Sequence, residues 1–290
     1  CRPREMHGET GTPAVHTSRL LLPLRFMIST AIIGAGNMGS ALYGGLVAAG
    51  KDADVWLCDE HAEKLASAPP DRRLTVPTAA TAECIVLVVK PQSFQALMTA
   101  VGKRWKDRFV VSVMAGITME KIAVATGSSA IVRAMPNLGA RVQRGVTGWH
   151  ASSAVTPAQI QHAGALFSAI GMTVQLKEES TIDGFTAVAG SGPAYVFLLA
   201  ELLEREATAL GIDKETSARI ARELLASGSL LLDRGEKGAA AWREAVTSKG
   251  GTTEAALRVL QERGFADIFH SAVAAAAERS RSLSHDDKSH

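Results

Sequence analysis

The chain is poor in aromatic residues and cysteine and has no long uncharged apolar run. Phe, Trp and Tyr together make up 5% of the 290 residues, so the core must be built mainly from Ala, Val, Leu and Ile. Cys1, Cys58 and Cys84 are odd in number and fit no zinc spacing, so neither a disulfide scaffold nor a metal site is expected. Cys58 and Cys84 lie in apolar runs and read as reduced core thiols of a cytoplasmic protein. No segment approaches the ~18 consecutive apolar residues of a membrane helix, so no membrane partner is expected. An excess of one charge is also lacking. The formal net charge of +2 resides in the first 26 residues, where Arg2, Arg4, Arg19 and Arg25 outnumber Glu5 and Glu9. The rest of the chain is neutral. A nucleic-acid binder carries a basic stripe on its folded part, and the sequence has none.

The length suggests about two domains. Residues 1–26 carry no packing pattern, being interrupted by Pro3, Pro13 and Pro23. Leu20 to Leu22 with Leu24 is too short for the apolar core of a secretory signal. The segment reads as a leader outside the fold, either added or upstream-translated ahead of a start at Met27, or an organelle transit peptide. From residue 27 to 178, short β-rich runs alternate with helical segments. The run Cys84 to Val89 is almost wholly apolar, as a parallel strand buried on both faces would be. This alternation predicts an α/β domain built on a doubly wound parallel sheet. From 179 to 290 the strand signals vanish and the pattern predicts an all-α domain. Gly190 to Pro193 is expected to form a corner between two of its helices, and the chain beyond Ser282 to fray. The alanine-rich helices would bury little alone, so association with a second subunit is expected.

Gly34-Ala35-Gly36-Asn37-Met38-Gly39 places G-x-G-x-x-G after a predicted strand and at the mouth of a predicted helix. That is the context in which the motif binds the pyrophosphate of a dinucleotide. Gly34 allows the tight turn, Gly36 the approach of phosphate to backbone, and Gly39 the packing of helix on strand. Asp59, at the end of the second strand, stands where an acidic side chain meets the adenosine ribose; it could equally cap the helix that begins near His61. Glu60 follows, and no cation comes before Lys64, so the sequence leans to NADH over NADPH. Val89-Lys90-Pro91-Gln92 and Met114-Ala115-Gly116 end later strands at the same sheet edge, where ligands bind in open α/β sheets. Lys90 reads equally well as a solvated loop lysine. In the second domain, Gly250-Gly251-Thr252-Thr253 precedes a helix and offers several N–H groups to a small carboxylate, although it also suits an ordinary helix start.

Taken in order, these segments, with Arg133-Ala134-Met135-Pro136-Asn137, Asp183-Gly184 and Gly190-Ser191-Gly192-Pro193-Ala194-Tyr195, resemble the pyrroline-5-carboxylate reductase family from Met27 to about Arg281. The resemblance implies a Rossmann-type domain followed by a helical dimerisation domain, NAD(P)H as cofactor, and reduction of a cyclic imine to proline. It implies a homodimer, with pentamers of dimers as a further assembly. By matching positions, Ala35, Asn37 and Met38 join the glycines around the cofactor, and Val89, Lys90, Pro91, Met114 and Ala115 border the nicotinamide. Gly250, Gly251, Thr252 and Thr253 hold the substrate carboxylate, the Thr253 hydroxyl sits by the ring nitrogen as the catalytic group, and Glu179 and Glu236 lie near the substrate. The chain departs from the family at Leu138-Gly139, where relatives read Thr-Pro, and at Lys249, where they read Pro. Alternatives are a reductase of another cyclic imine, a β-hydroxyacid dehydrogenase relative, and a non-catalytic dinucleotide-binding paralogue.

Overall fold

A computed structural model of the chain describes residues 28–285; the expected leader lies outside them. Eight strands form one sheet: β1 (Thr30–Ile33), β2 (Val55–Cys58), β3 (Arg73–Leu74), β4 (Cys84–Leu87), β5 (Phe109–Ser112), β6 (Ile131–Met135), β7 (Gly145–Ala151) and β8 (Gly171–Gln175). Their order is β3-β2-β1-β4-β5-β6-β7-β8. Helices α1 (Asn37–Ala48), α2 (Val76–Ala79), α3 (Phe94–Val101), α4 (Met119–Thr126) and α5 (Pro157–Ser168) alternate with the strands. β1 and β4 are buried along their whole length, which is why they read as apolar runs. Neighbouring residues on a strand face opposite layers. Ile32 joins Leu42, Leu46, Leu166 and Phe167 beneath α1 and α5, whereas Ile33 joins Leu97, Met98, Val101 and Ile122 beneath α3 and α4.

The sheet is not wholly parallel. β7 pairs antiparallel with β6, and β8 runs parallel to β7. The reason lies in the linker 136–144. A parallel return needs a crossover of a dozen or more residues, and this linker is shorter.

From Thr181 the structure is helical: α6 (Thr181–Phe185), α7 (Gly192–Ala209), α8 (Lys214–Asp233), α9 (Ala239–Ala245), α10 (Thr252–Glu262) and α11 (Phe265–His285). The expected corner at Gly190 to Pro193 is absent. A π turn over Thr186–Gly190 joins α6 to α7, and the Ser191 amide donates to the Thr186 carbonyl at 2.8 Å. Pro193 falls in the first turn of α7, where its missing N–H costs nothing. The resulting run Thr181–Ala209 is long and apolar enough, by length and composition, to cross a membrane. Counting uninterrupted apolar residues overlooks it, because Asp183, Gly190 and Pro193 break the run.

The end of α11 does not fray at Ser282. It returns to the sheet, where Ser284 is buried. Its hydroxyl accepts from Arg133 Nη2 at 3.3 Å and its carbonyl from Lys121 Nζ at 3.1 Å. Ser280 donates to the buried Asp183 carboxylate at 2.6 Å. Polar composition suggested solvent here; these serines are instead the partners that buried charged groups require.

Candidate active site

The strand order reverses between β1 and β4, which opens a crevice at their carboxyl ends. The Gly-rich loop fills the mouth of this crevice. Gly34 has φ +109°, a conformation that side chains resist, and a Cβ there would lie 2.8 Å from the Val88 carbonyl oxygen. A Cβ on Gly39 would lie 1.8 Å from the Gly34 carbonyl, so α1 packs onto β1 only with glycine. At Gly36 an added Cβ would meet nothing within 4 Å. The backbone here faces open space, and Gly36 caps α1 with no side-chain hydrogen bond and no acidic residue in the first turn. The free N–H groups and positive end of α1 are thus left for an anion, which fits a dinucleotide phosphate.

Beside the loop is a cavity of about 330 Å³ whose walls include Gly34, Gly36, Asp59, Glu60, Val89 and Lys90. Asp59 accepts from the Ala35 amide and from the His61 amide, each at 2.9 Å. It therefore ties the Gly-rich loop to β2 and, as the second sequence reading expects, also bonds the start of the following turn. Burial works to raise its pKa, but the His61 and Ala35 amides and the Lys64 ammonium outweigh this and hold the carboxyl below its ordinary range. Sequence order hid one neighbour. The 3-10 turn Ala62–Ser67 brings Lys64 Nζ back to 3.5 Å from Asp59.

The expected nicotinamide-side residues divide. Val89 and Lys90 line the cavity, and Lys90 is exposed. Pro91 and Met114 do not line it; Met114 is buried in the core layer with Val110 and Ile122. Ala115 is exposed outside that cavity, and Gly116 lies under Leu283 of α11, 3.0 Å from where its Cβ would be. Met38 and Gly39 lie behind the loop and line neither neighbouring cavity, whereas Ala35 and Asn37 line the next one along α1.

None of the expected substrate residues lines this crevice within one chain. Glu179 Oε1 accepts from Arg133 Nη1 at 2.8 Å and from the Met119 amide at 2.8 Å. Arg133 is buried within β6, and its charge requires this partner. Glu179 thus fastens the start of the helical half to the sheet. Glu236 is exposed between α8 and α9. Gly250 and Thr252 are exposed, with Gly251 and Thr253 half-buried, at the start of α10, which rests on α11. There the Gly250 amide donates to the Glu254 carboxylate at 2.7 Å. The loop assigned to a substrate carboxylate thus already binds a carboxylate from its own helix. Glu254 is three residues beyond the capping Gly251, the spacing of an acid that bonds back to the cap amide, but here it bonds the amide one residue earlier, because the Gly251 amide donates to the Ser248 carbonyl.

This fold and loop define an oxidoreductase of the dinucleotide-binding type. Residues 29–116 match the family described as NADP oxidoreductase, coenzyme F420-dependent, and residues 179–283 the family described as pyrroline-5-carboxylate reductase dimerisation. The pyrroline-5-carboxylate reductase of Pseudomonas aeruginosa is 37% identical over 261 residues, covering 87% of this chain and 96% of that protein. The solved pyrroline-5-carboxylate reductase of Coxiella burnetii superposes with TM-score 0.82 at 31% identity, over 89% of this chain and 98% of that one. The Plasmodium falciparum pyrroline carboxylate reductase, solved with NADP bound, has TM-score 0.77 over 90% of this chain and 99% of that one; at 23% identity it shows the shared fold. The chain belongs to the pyrroline-5-carboxylate reductase family.

Proposed function

We propose that the chain reduces 1-pyrroline-5-carboxylate to proline at the expense of a nicotinamide dinucleotide. The carrying observation is the open, uncapped crevice at Gly36 in a chain whose helical half matches the dimerisation domain of reductases of that substrate. The Gly-rich loop and the first amides of α1 would hold a nicotinamide dinucleotide, whose chemistry would be hydride donation to the imine carbon. A cyclic imine takes its proton from water, so the chain need supply no strong acid and no metal; its task is alignment. Thr252 and Thr253 open α10, where first-turn amides and the helix dipole favour a carboxylate. Substrate would take over from Glu254 at this loop, with the Thr253 hydroxyl by the ring nitrogen and Glu236 as the acidic neighbour. Glu179, bonded to Arg133, positions the helical half instead.

Because the substrate residues do not line the crevice within one chain, the reading requires a homodimer that brings them there; pentamers of dimers are a further assembly. The free, buried Cys58 and Cys84 suit a reducing cytoplasm. NADH is the preferred cofactor on this reading, since Asp59 and Glu60 line the cavity beside the Gly-rich loop and would repel a 2′-phosphate there. The test is oxidation of NADH and NADPH by purified protein with pyrroline-5-carboxylate. Turnover with neither cofactor would overturn the reading, and faster turnover of another cyclic imine would replace the substrate.

A further inference from the structure

A second cavity, of about 440 Å³, adjoins the N-terminus of α1 and is lined by Ala35, Gly36, Asn37, Ser40, Ala41, Lys64 and Arg141. Its wall has two cations and no carboxylate, unlike the neighbouring cavity with Asp59 and Glu60. Arg141 reaches it from the 3-10 turn Leu138–Val142 after β6. Asn137 anchors that turn. Its Oδ1 accepts from the Gly139 and Val146 amides, each at 3.1 Å, and its Nδ2 donates to the Ala189 carbonyl at 2.9 Å. A Cβ on Gly139 would lie 2.7 Å from the Arg144 carbonyl oxygen, and the Gly139 amide is used as a donor. Residue 139 is thus closely enclosed with its amide engaged, and glycine suits this position of the turn that carries Arg141. Arg144 is paired with Asp233 at 2.9 Å, whereas the exposed Arg141 guanidinium has no ion-pair or hydrogen-bond partner among the described residues.

We propose that Arg141 binds a phosphate of the dinucleotide, acting with Lys64 and the first amides of α1. This rests on the crevice being the dinucleotide site. The chemistry is that of a phosphate held by a guanidinium, an ammonium and oriented N–H groups. Either the pyrophosphate or a 2′-phosphate supplies it.

The test is direct titration of NADH and NADPH, followed by nucleotide fluorescence at low and at physiological salt, with wild type, Arg141→Ala and Arg141→Lys. Arg141→Ala should raise Kd by about 3- to 10-fold, the scale of one exposed charge-assisted contact, and make its salt dependence shallower. Arg141→Lys should recover much of the loss. In steady-state kinetics the change should fall on the cofactor KM and not on the KM of the imine acid. Weakening of both nucleotides assigns the pyrophosphate, and weakening of NADPH alone the 2′-phosphate; either supports the proposal. Unchanged Kd for both nucleotides in Arg141→Ala, with a wild-type melting temperature, would overturn it while leaving the crevice reading intact. If wild type binds neither nucleotide, the crevice reading fails first and this one with it. Should Arg141→Ala melt early, Arg141→Gln provides the same comparison with the side-chain stem retained.

Discussion

The two halves of the chain bury their apolar surface by different means. In the sheet half, strands β1 and β4 are sealed on both faces, and Leu42, Tyr43, Trp105, Phe109 and Phe167 are almost wholly enclosed. In the helical half, α7, α9 and α10 bury none of their residues, and Val196, Phe197, Leu198 and Leu199 lie about half exposed in succession. A surface of that kind is unfinished unless another molecule covers it. The sheet half builds its two apolar clusters from its own residues and holds the crevice; the helical half carries the expected substrate loop and matches a dimerisation domain. The largest effect should follow from breaking that asymmetry. Leu198→Asp should place a charge in the subunit contact, convert the protein to monomer in sedimentation, and lower activity by about 100-fold or more, while NADH binding persists. A dimeric, fully active Leu198→Asp would show that this face of α7 is not the contact.

The sheet half has its own point of weakness. His162 of α5 is buried against Phe109, with Nε2 2.9 Å from the Thr30 hydroxyl, and burial pushes its pKa down from 6.5 to about 4. As pH falls, the unfolded chain therefore takes up this proton before the folded chain does. The contribution is fully present above pH 6.5 and is lost as pH falls from 6.5 to about 4, at a cost of about 3 kcal/mol. Urea midpoints between pH 7 and pH 4 should decline less steeply in His162→Gln; equal slopes would exclude His162 as a source of acid sensitivity. On the helical side, Thr253→Ala should lower kcat/KM by ~10- to 100-fold, for a lost contact of roughly 1.5–3 kcal/mol. NADH titration should be unaffected, and unchanged kinetics would remove Thr253 from the mechanism.

The sheet half was the more legible in sequence because its signals are local. Strand period, loop glycines and Asp59 each act within a few residues of where they stand. What was missed depends on approach through space. Lys64 reaches Asp59 only because a short turn intervenes, and Arg141 shares a cavity with Gly36 only because the linker after β6 folds back over α1. Arg133 stood inside a recognised segment, but its partners Glu179 and Ser284 are distant in sequence. Ser284 looked like frayed tail because composition reports polarity and not the charge waiting for it. The antiparallel β7 was within reach, since linker length alone forbids the parallel alternative. In the helical half, the loss of strand signals marked the all-α domain, yet the π turn was read as a corner because Gly and Pro mark both.

The smallest expected effect is also the one that joins sequence and structure most closely. Asp59 and Glu60 follow β2 and line the cavity beside the Gly-rich loop, the proposed dinucleotide site. A phosphate about 4 Å from a carboxylate is repelled by about 1 kcal/mol in water and by about 4 kcal/mol at an effective dielectric of 20. The Asp59 side chain is only 12% exposed, so solvent screens it less than a rim position would. Its bonds to the Ala35 and His61 amides hold it ionised and fixed. Lys64 acts in the other sense, but at 3.5 Å from Asp59 much of its field is neutralised by that carboxylate. The balance favours a ribose hydroxyl, which can donate to Asp59, over a 2′-phosphate, which cannot. Wild type should therefore show the higher kcat/KM with NADH. Asp59→Ser combined with Glu60→Arg should move the NADH-to-NADPH ratio about 10-fold toward NADPH, because it removes two negative charges and adds a guanidinium. Measured at physiological salt, a wild type that already favours NADPH would mean that Lys64, and not Asp59, governs the ribose end of the crevice.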